Sequence, residues 1–135
     1  MPSCDIHKIY MNISEEISKM SYANRLKVGA IIVKNNSIIS YGYNGMPYGF
    51  DNNCETDNKT NPEVLHAESN AIAKVCKSTQ SSEDSTLYVT TSPCFECAKL
   101  IIQSGIKNVY YRNIYRKENG IKLLETAKIN VFHLD

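Results

Sequence analysis

The chain has no excess of charge of either sign: fifteen Lys and Arg stand against fourteen Asp and Glu, a formal net charge of +1. Proteins that hold long nucleic acid usually show a basic surplus or stripe, so that partner class is disfavoured. A small anionic ligand stays compatible, since it needs only a few local cations. No apolar run approaches the roughly 20 residues that span a bilayer, so no membrane partner is expected. The stretch Met1 to Tyr10 is polar and mixed in charge, unlike a secretory signal. Cysteine is sparse and odd in number, with Cys4, Cys54, Cys76, Cys94 and Cys97. That argues against a paired disulfide framework and for a reducing, cytoplasmic setting. Internal repeats and low-complexity stretches are also missing. The 135 residues suffice for a single domain, residues 1–135.

What is present is a clear alternation of elements. Ile6, Tyr10, Ile13, Ile17 and Met20 recur at helical spacing and predict an amphipathic helix over roughly residues 4–20. Lys27 to Val33 reads as a buried strand and Ser37 to Tyr41 as its hairpin partner. Asn35-Asn36 makes the tight turn between them, because Asn tolerates positive φ. Gly42 to Asn61, rich in Gly, Asn, Pro and Asp, reads as a long loop of functional type. A helix ending near Lys77 follows, with Cys76 assigned to its apolar side beside Ile72 and Val75. Thr86 to Thr90 is a strand, and Ser92-Pro93 opens a helix with Ser92 as its cap and Gly105 as its stop. Asn108 to Tyr111, Glu118 to Ala127 and Ile129 to His133 complete the chain as strand, helix and strand. The order αββαβαβαβ predicts an α/β fold: a five-stranded mixed sheet with helices on both faces.

Two short motifs carry the chemistry: His66-Ala67-Glu68 and Pro93-Cys94-Phe95-Glu96-Cys97. They supply three ligands for Zn²⁺ (His66, Cys94 and Cys97) and one carboxylate, Glu68, that need not bind it. A catalytic zinc takes three protein ligands and leaves a fourth position open. H-x-E followed by P-C-x-x-C is the pattern of zinc deaminases, in which the Glu is acid and base. Cys94 and Cys97 lie three apart on one helix, so both sulfurs face one way. The free N–H groups and dipole of a helix start favour thiolate there. Residues two apart on a regular helix point about 200° apart. His66 and Glu68 can therefore share a site only if their helix starts at about Leu65 or His66, not at Asn61-Pro62-Glu63. The metal would bring the pKa of a bound water toward neutrality. Glu68 would take a proton from that water, deliver it to N3 of a cytosine ring as C4 is attacked, and protonate the departing amino group. A zinc that merely staples the fold is the bland alternative. It needs a fourth protein ligand, for which Cys54 in the long loop is the serious candidate.

The sequence resembles the deoxycytidylate (dCMP) deaminases of the cytidine deaminase superfamily. The matching pieces are Arg25 to Ala30, Gly42-Tyr43-Asn44-Gly45-Met46-Pro47, His66 to Ile72, Pro93 to Ile102 and Gly105-Ile106-Lys107. The resemblance covers the chain from about Ser21 onward. It implies the three-layer α-β-α cytidine-deaminase-like fold and a reaction in which dCMP and water give dUMP and ammonia, supplying thymidylate synthesis. It further implies a homohexamer, with activation by dCTP and inhibition by dTTP. Asn44 matches the family asparagine that contacts base and sugar, and is otherwise a turn residue between glycines. Arg25 matches a family arginine suited to phosphate, and is otherwise a solvated arginine. Asn70, one turn beyond His66, either faces the pocket and a phosphate oxygen or caps packing on its helix. Tyr115 and Ala67 complete the expected substrate contacts, Tyr115 being otherwise one surface tyrosine among nine. The loop of Gly42, Tyr43, Gly45 and Gly49 carries the family's effector signature, and a triphosphate there would bring Mg²⁺ with it. Some family members carry a second metal site before the His-Ala-Glu motif. This chain lacks the ligands for one.

Three rivals stay open on sequence grounds. One is a deaminase of another substrate, tRNA adenosine or free cytidine, although an RNA editor should show a basic face. Another is a deaminase for which dCTP is substrate. The last is a non-enzymatic, zinc-stapled nucleotide sensor, against which Glu68 speaks, since a sensor needs no proton carrier.

Overall fold

The computed structural model describes residues 5–115 and 117–135. Cys4, the expected start of the first helix, lies outside the described residues. Helix α1 runs from Ile6 to Ser18, and Asp5 caps it by accepting a hydrogen bond from the Lys8 N–H at 3.3 Å. Its buried face is Tyr10, Met11, Ser14 and Ser18, while Ile6 and Met20, expected on that face, are 43% and 48% exposed. At Gly29 a Cβ would collide with the Ser14 carbonyl and the Ser18 backbone, so the helix lies close on the first strand through small residues.

Strands β1 (Gly29–Lys34) and β2 (Ser37–Tyr43) form the expected hairpin, turning through Asn35 and Asn36 at φ 51° and 63°. Within the long loop the chain makes an unexpected second hairpin, β3 (Glu55–Thr56) and β4 (Lys59–Thr60), turning through Asp57 and Asn58 at φ 52° and 63°. It uses the same left-handed tolerance of Asx residues as Asn35-Asn36. Helix α2 (Ala67–Cys76), strand β5 (Thr86–Thr91), helix α3 (Phe95–Gln103), strand β6 (Asn108–Asn113), helix α4 (Asn119–Thr126) and strand β7 (Asn130–His133) follow.

The main sheet has the order β2-β1-β5-β6-β7. β1 pairs antiparallel with β2 and β5, whereas β5, β6 and β7 run parallel. The sheet is therefore mixed and five-stranded, as the element order predicts. Ala30, Ile32, Leu87, Val89 and Val109 point to one face and pack with Ala71 of α2, Ala98 and Ile101 of α3, and Leu124 of α4. Ile31, Val33 and Tyr88 point to the other and pack with Tyr10 and Met11 of α1. The result is three layers, α-β-α.

Two local expectations need correction. Cys76 is exposed, not core, while Val75 beside it is buried; one residue is a 100° step round the helix. Helix α3 begins at Phe95 with Cys94 as its cap, two residues later than the Ser92-Pro93 start. Ser92 is not free to cap, because its Oγ accepts the Tyr115 N–H at 2.6 Å.

Candidate metal centre and substrate pocket

The chain stays extended up to the start of α2. Gly45 and Leu65 exchange backbone hydrogen bonds, N–H of Leu65 to O of Gly45 at 2.8 Å and the reverse at 3.1 Å. This bridge keeps Asn61-Pro62-Glu63 out of the helix and leaves His66, with φ −77° and ψ 159°, as the cap position. His66 is therefore not yet helical, and Glu68, in the first turn, can share its side of the structure. The Asn70 N–H donates to the His66 carbonyl at 2.9 Å, and Ser69 Oγ donates to it at 3.0 Å.

At the C-terminal end of β5 the chain turns through Ser92-Pro93 into the Cys94 cap. The Cys97 N–H donates to Cys94 Sγ at 3.5 Å. Gly120 has no side chain because α4 sits directly on the Pro93 and Cys94 backbone. The ligand atoms of His66, Cys94 and Cys97 all lie within 4.8 Å of one another. His66 Nδ1 is 3.3 Å from Cys97 Sγ and 3.4 Å from Cys94 Sγ. Hydrogen bonding from the Cys97 thiol, helped by His66, holds Cys94 down to about 4. Cys97, which keeps the shared proton, is pushed upward by that same hydrogen bond and by burial. The hydrogen bond with Cys94 raises His66. Two sulfurs and an imidazole this close call for shared positive charge. Zn²⁺ fits: neutral imidazole and two thiolates balance it, and the donor types are its preferred ones.

Among the described residues no fourth His, Cys, Asp or Glu joins this group. The Cys54 thiol is buried and lines the neighbouring pocket, but its Sγ lies 3.6 Å from the Asn52 carbonyl and outside the cluster. Among the described residues the stapling alternative thus lacks a fourth ligand. Glu68 is 4% exposed, and burial pushes its carboxyl up to about 7, opposed by the nearby His66.

The cluster opens into a pocket of about 600 Å³. Of the expected substrate residues, Arg25, Asn44, Ala67 and Tyr115 line it with Glu68. Asn70 does not. Its Nδ2 donates to the Tyr43 carbonyl at 3.0 Å and ties α2 to the end of β2. Asn44 is at the wall, yet both ends of its amide brace the chain before β1. Oδ1 accepts the Val28 N–H at 2.8 Å, and Nδ2 donates to the Leu26 carbonyl at 2.7 Å. Arg25 is exposed and donates from its guanidinium to Thr60 Oγ1 at 3.3 Å. Gly42 is buried under α2, where a Cβ would meet the Ala67 carbonyl and the Ala71 backbone, so packing accounts for it. Gly45 and Gly49 have open surroundings, Gly49 at φ 89°. Sequence reasoning missed Glu55 and Thr60, which reach the wall from the β3–β4 hairpin. The Asp57-Asn58 turn was the available signal.

Residues 5–113 match the model of the cytidine and deoxycytidylate deaminase zinc-binding region. The chain is 40% identical to a probable deoxycytidylate deaminase of Caenorhabditis elegans, over 78% of this chain and 56% of the relative. It thus spans little more than half of that relative's length. It is 33% identical to the deoxycytidylate deaminase of Enterobacteria phage T4, over 92% of this chain and 87% of that one. The crystal structure of the dCMP deaminase from cyanophage S-TIM5, in complex with dCMP and dUMP, superposes with a TM-score of 0.95. It shares 46% identity and covers 99% of this chain and 100% of that one.

Proposed function

The chain belongs to the cytidine and deoxycytidylate deaminase family, and from that membership we propose that it is a zinc-dependent hydrolase converting dCMP and water to dUMP and ammonia. The observation that carries the reading is the three-ligand His66, Cys94 and Cys97 group with the buried Glu68 beside it, at the floor of a pocket of nucleotide size. The relatives named for deoxycytidylate deamination support the choice of nucleotide.

His66, Cys94 and Cys97 would hold the ion. A bound Zn²⁺ supplies Lewis-acid activation of water near neutral pH. Glu68 accepts one proton of the attacking water and passes it to N3 of the cytosine ring, then takes the second proton from the hydroxyl added at C4 and gives it to the amino group, which leaves as ammonia. Its burial keeps bulk water from competing for those protons. Ala67, between the His66 cap and Glu68, lines the pocket beside them and serves the base end. Asn44 acts by fixing the Leu26 and Val28 backbone at the pocket wall. Arg25 and Tyr115 serve the phosphate end, Arg25 as the cation among the side chains named at the wall.

Assembly as a homohexamer and control by dCTP and dTTP with Mg²⁺, through Tyr43, Gly45 and Gly49, rest on the family resemblance. No helix among the described residues is long and apolar enough to cross a membrane. The free thiols fit a reducing, cytoplasmic setting.

The test is ammonia release from deoxycytidine, dCMP, dCTP and CMP, with Glu68→Ala protein as blank. Turnover confined to dCMP is expected. Equal turnover of dCTP would mean a phosphate site that tolerates length. Release from none of them by zinc-loaded protein would overturn the reading in favour of the sensor or a polymeric substrate.

A further inference from the structure

Ser92 opens the turn toward the metal ligands, yet the proposed mechanism gives it no task. It is 3% exposed and lines the pocket. Strands β5 and β6 pair in parallel as far as Thr91 and Asn113. Beyond that pair Ser92 continues the link with two hydrogen bonds. Its N–H donates to the Asn113 carbonyl at 2.8 Å, and its Oγ accepts the Tyr115 N–H at 2.6 Å. Asn113 is itself braced, its Nδ2 donating to the Thr90 carbonyl at 2.9 Å. Tyr115 lines the same pocket. Ile114, between Asn113 and Tyr115, is 57% exposed, so apolar burial contributes little to holding this segment.

On its other side Ser92 is separated from Cys94, the cap of α3, by Pro93 alone. The proline ring fixes φ there, and α4 sits at Gly120 directly on the Pro93 and Cys94 backbone. Ser92 is thus joined stiffly through the chain to the metal ligands and through its hydroxyl oxygen to the Tyr115 wall. We propose that Ser92 is a positioning residue, whose hydroxyl sets the Tyr115 wall at a fixed distance from the His66, Cys94 and Cys97 group. This rests on the dCMP reading above and deepens it. A nucleotide that must bring C4 to the metal tolerates little error in the wall around it, since a misplacement of about 1 Å can cost about 100-fold in rate. Ser92 acts through Tyr115 and not on the substrate.

The test reads the link and its consequence separately. Amide hydrogen exchange, followed by NMR, reads the Tyr115 N–H. Exchange should be slow in wild type and about 10-fold faster in Ser92→Ala, the worth of about one hydrogen bond. Ser92→Thr keeps the hydroxyl and should restore slow exchange. In zinc-loaded Ser92→Ala, kcat/KM for dCMP and the calorimetric affinity for dUMP should each fall about 10-fold, and both should recover in Ser92→Thr. In a Tyr115→Ala background, Ser92→Ala should cost less than about 2-fold more, because its effect passes through Tyr115. Full, additive losses in that background would mean that Ser92 acts on the substrate itself, and the positioning role fails. Faster Tyr115 exchange with unchanged kcat/KM would also overturn it, leaving a bond that holds the chain and nothing else. If Ser92→Ala does not fold, wild type decides. Saturating dUMP should slow Tyr115 exchange further, because a link that favours the nucleotide is favoured by it in return; unchanged exchange would overturn the proposal. Wild-type protein that neither deaminates dCMP nor binds dUMP would overturn the dCMP reading itself. Wild-type turnover with additive losses would overturn the Ser92 assignment alone.

Discussion

At the metal end of the pocket, His66, Glu68, Cys94 and Cys97 come from the caps and first turns of α2 and α3, which rest on the fully buried Ala67, Ala71, Ala98 and Ile101. Elsewhere on the pocket wall, Arg25, Glu55 and Thr60 come from a loop and from two-residue strands, joined by hydrogen bonds of 3.0–3.3 Å. The first arrangement holds ligand atoms to a fixed geometry, as metal chemistry demands. The second is built from exposed or half-exposed groups that adjust more easily, as recognition of a flexible phosphoester allows. The contrast predicts that damage at the helix end removes chemistry, whereas damage at the loop end changes which substrate is used.

The largest expected effect breaks the helix end. Stripping the metal with a chelator should lower ammonia release from dCMP by about 10³-fold or more, and adding Zn²⁺ back should restore it. Circular dichroism should change little, because neither core cluster includes the His66, Cys94 and Cys97 side chains except through the α3 face. Retained turnover in metal-free protein would erase the distinction between the two ends.

Asn44→Ala removes both braces of the Leu26 to Val28 segment. A stability loss of about 1–3 kcal/mol in denaturant titration is expected. Its activity on dCMP and deoxycytidine should fall together, because the segment is positioned for either. A loss confined to one of them would mean that Asn44 reads substrate directly.

Arg25→Ala sharpens the comparison from the loop side. Its kcat/KM for dCMP should drop about 10-fold, at the low end for a charge-assisted contact because the guanidinium is exposed. Deoxycytidine, which carries no phosphate, should be affected less. Equal losses would remove Arg25 from the phosphate end.

The smallest effect belongs to Asn70→Ala. Its side chain bonds the Tyr43 carbonyl away from the pocket. About 1 kcal/mol of stability should be lost, with substrate use unchanged. A selective change in dCMP affinity would show that Asn70 reaches the substrate after all.

The same division explains what could be read from the sequence. The metal end was legible because its geometry is local. The 200° argument placed the start of α2 within one residue, at the His66 cap, and Cys94 and Cys97 come together at the start of α3, Cys94 as its cap and Cys97 in its first turn. The start of α3 was misplaced because Ser92, a good cap by type, gives its hydroxyl to Tyr115, 23 positions away. The Asn44 and Asn70 amides bond backbone partners 16, 18 and 27 residues distant, which no local pattern reveals. Gly42, part of the effector loop expected from the sequence, is also the contact point of β2 with α2, which the sequence does not show. The five-stranded order was recoverable because alternation of strands and helices leaves few topologies open.

The most direct test of the central claim is Glu68→Gln, assayed for bound zinc and for ammonia release from dCMP in the same preparation. The variant keeps the size of the side chain and the three ligands. The account predicts one zinc per chain, as in wild type, with turnover lower by about 10²- to 10⁴-fold. Wild-type turnover in zinc-loaded Glu68→Gln protein would contradict it, since the proton carrier would then be some other group.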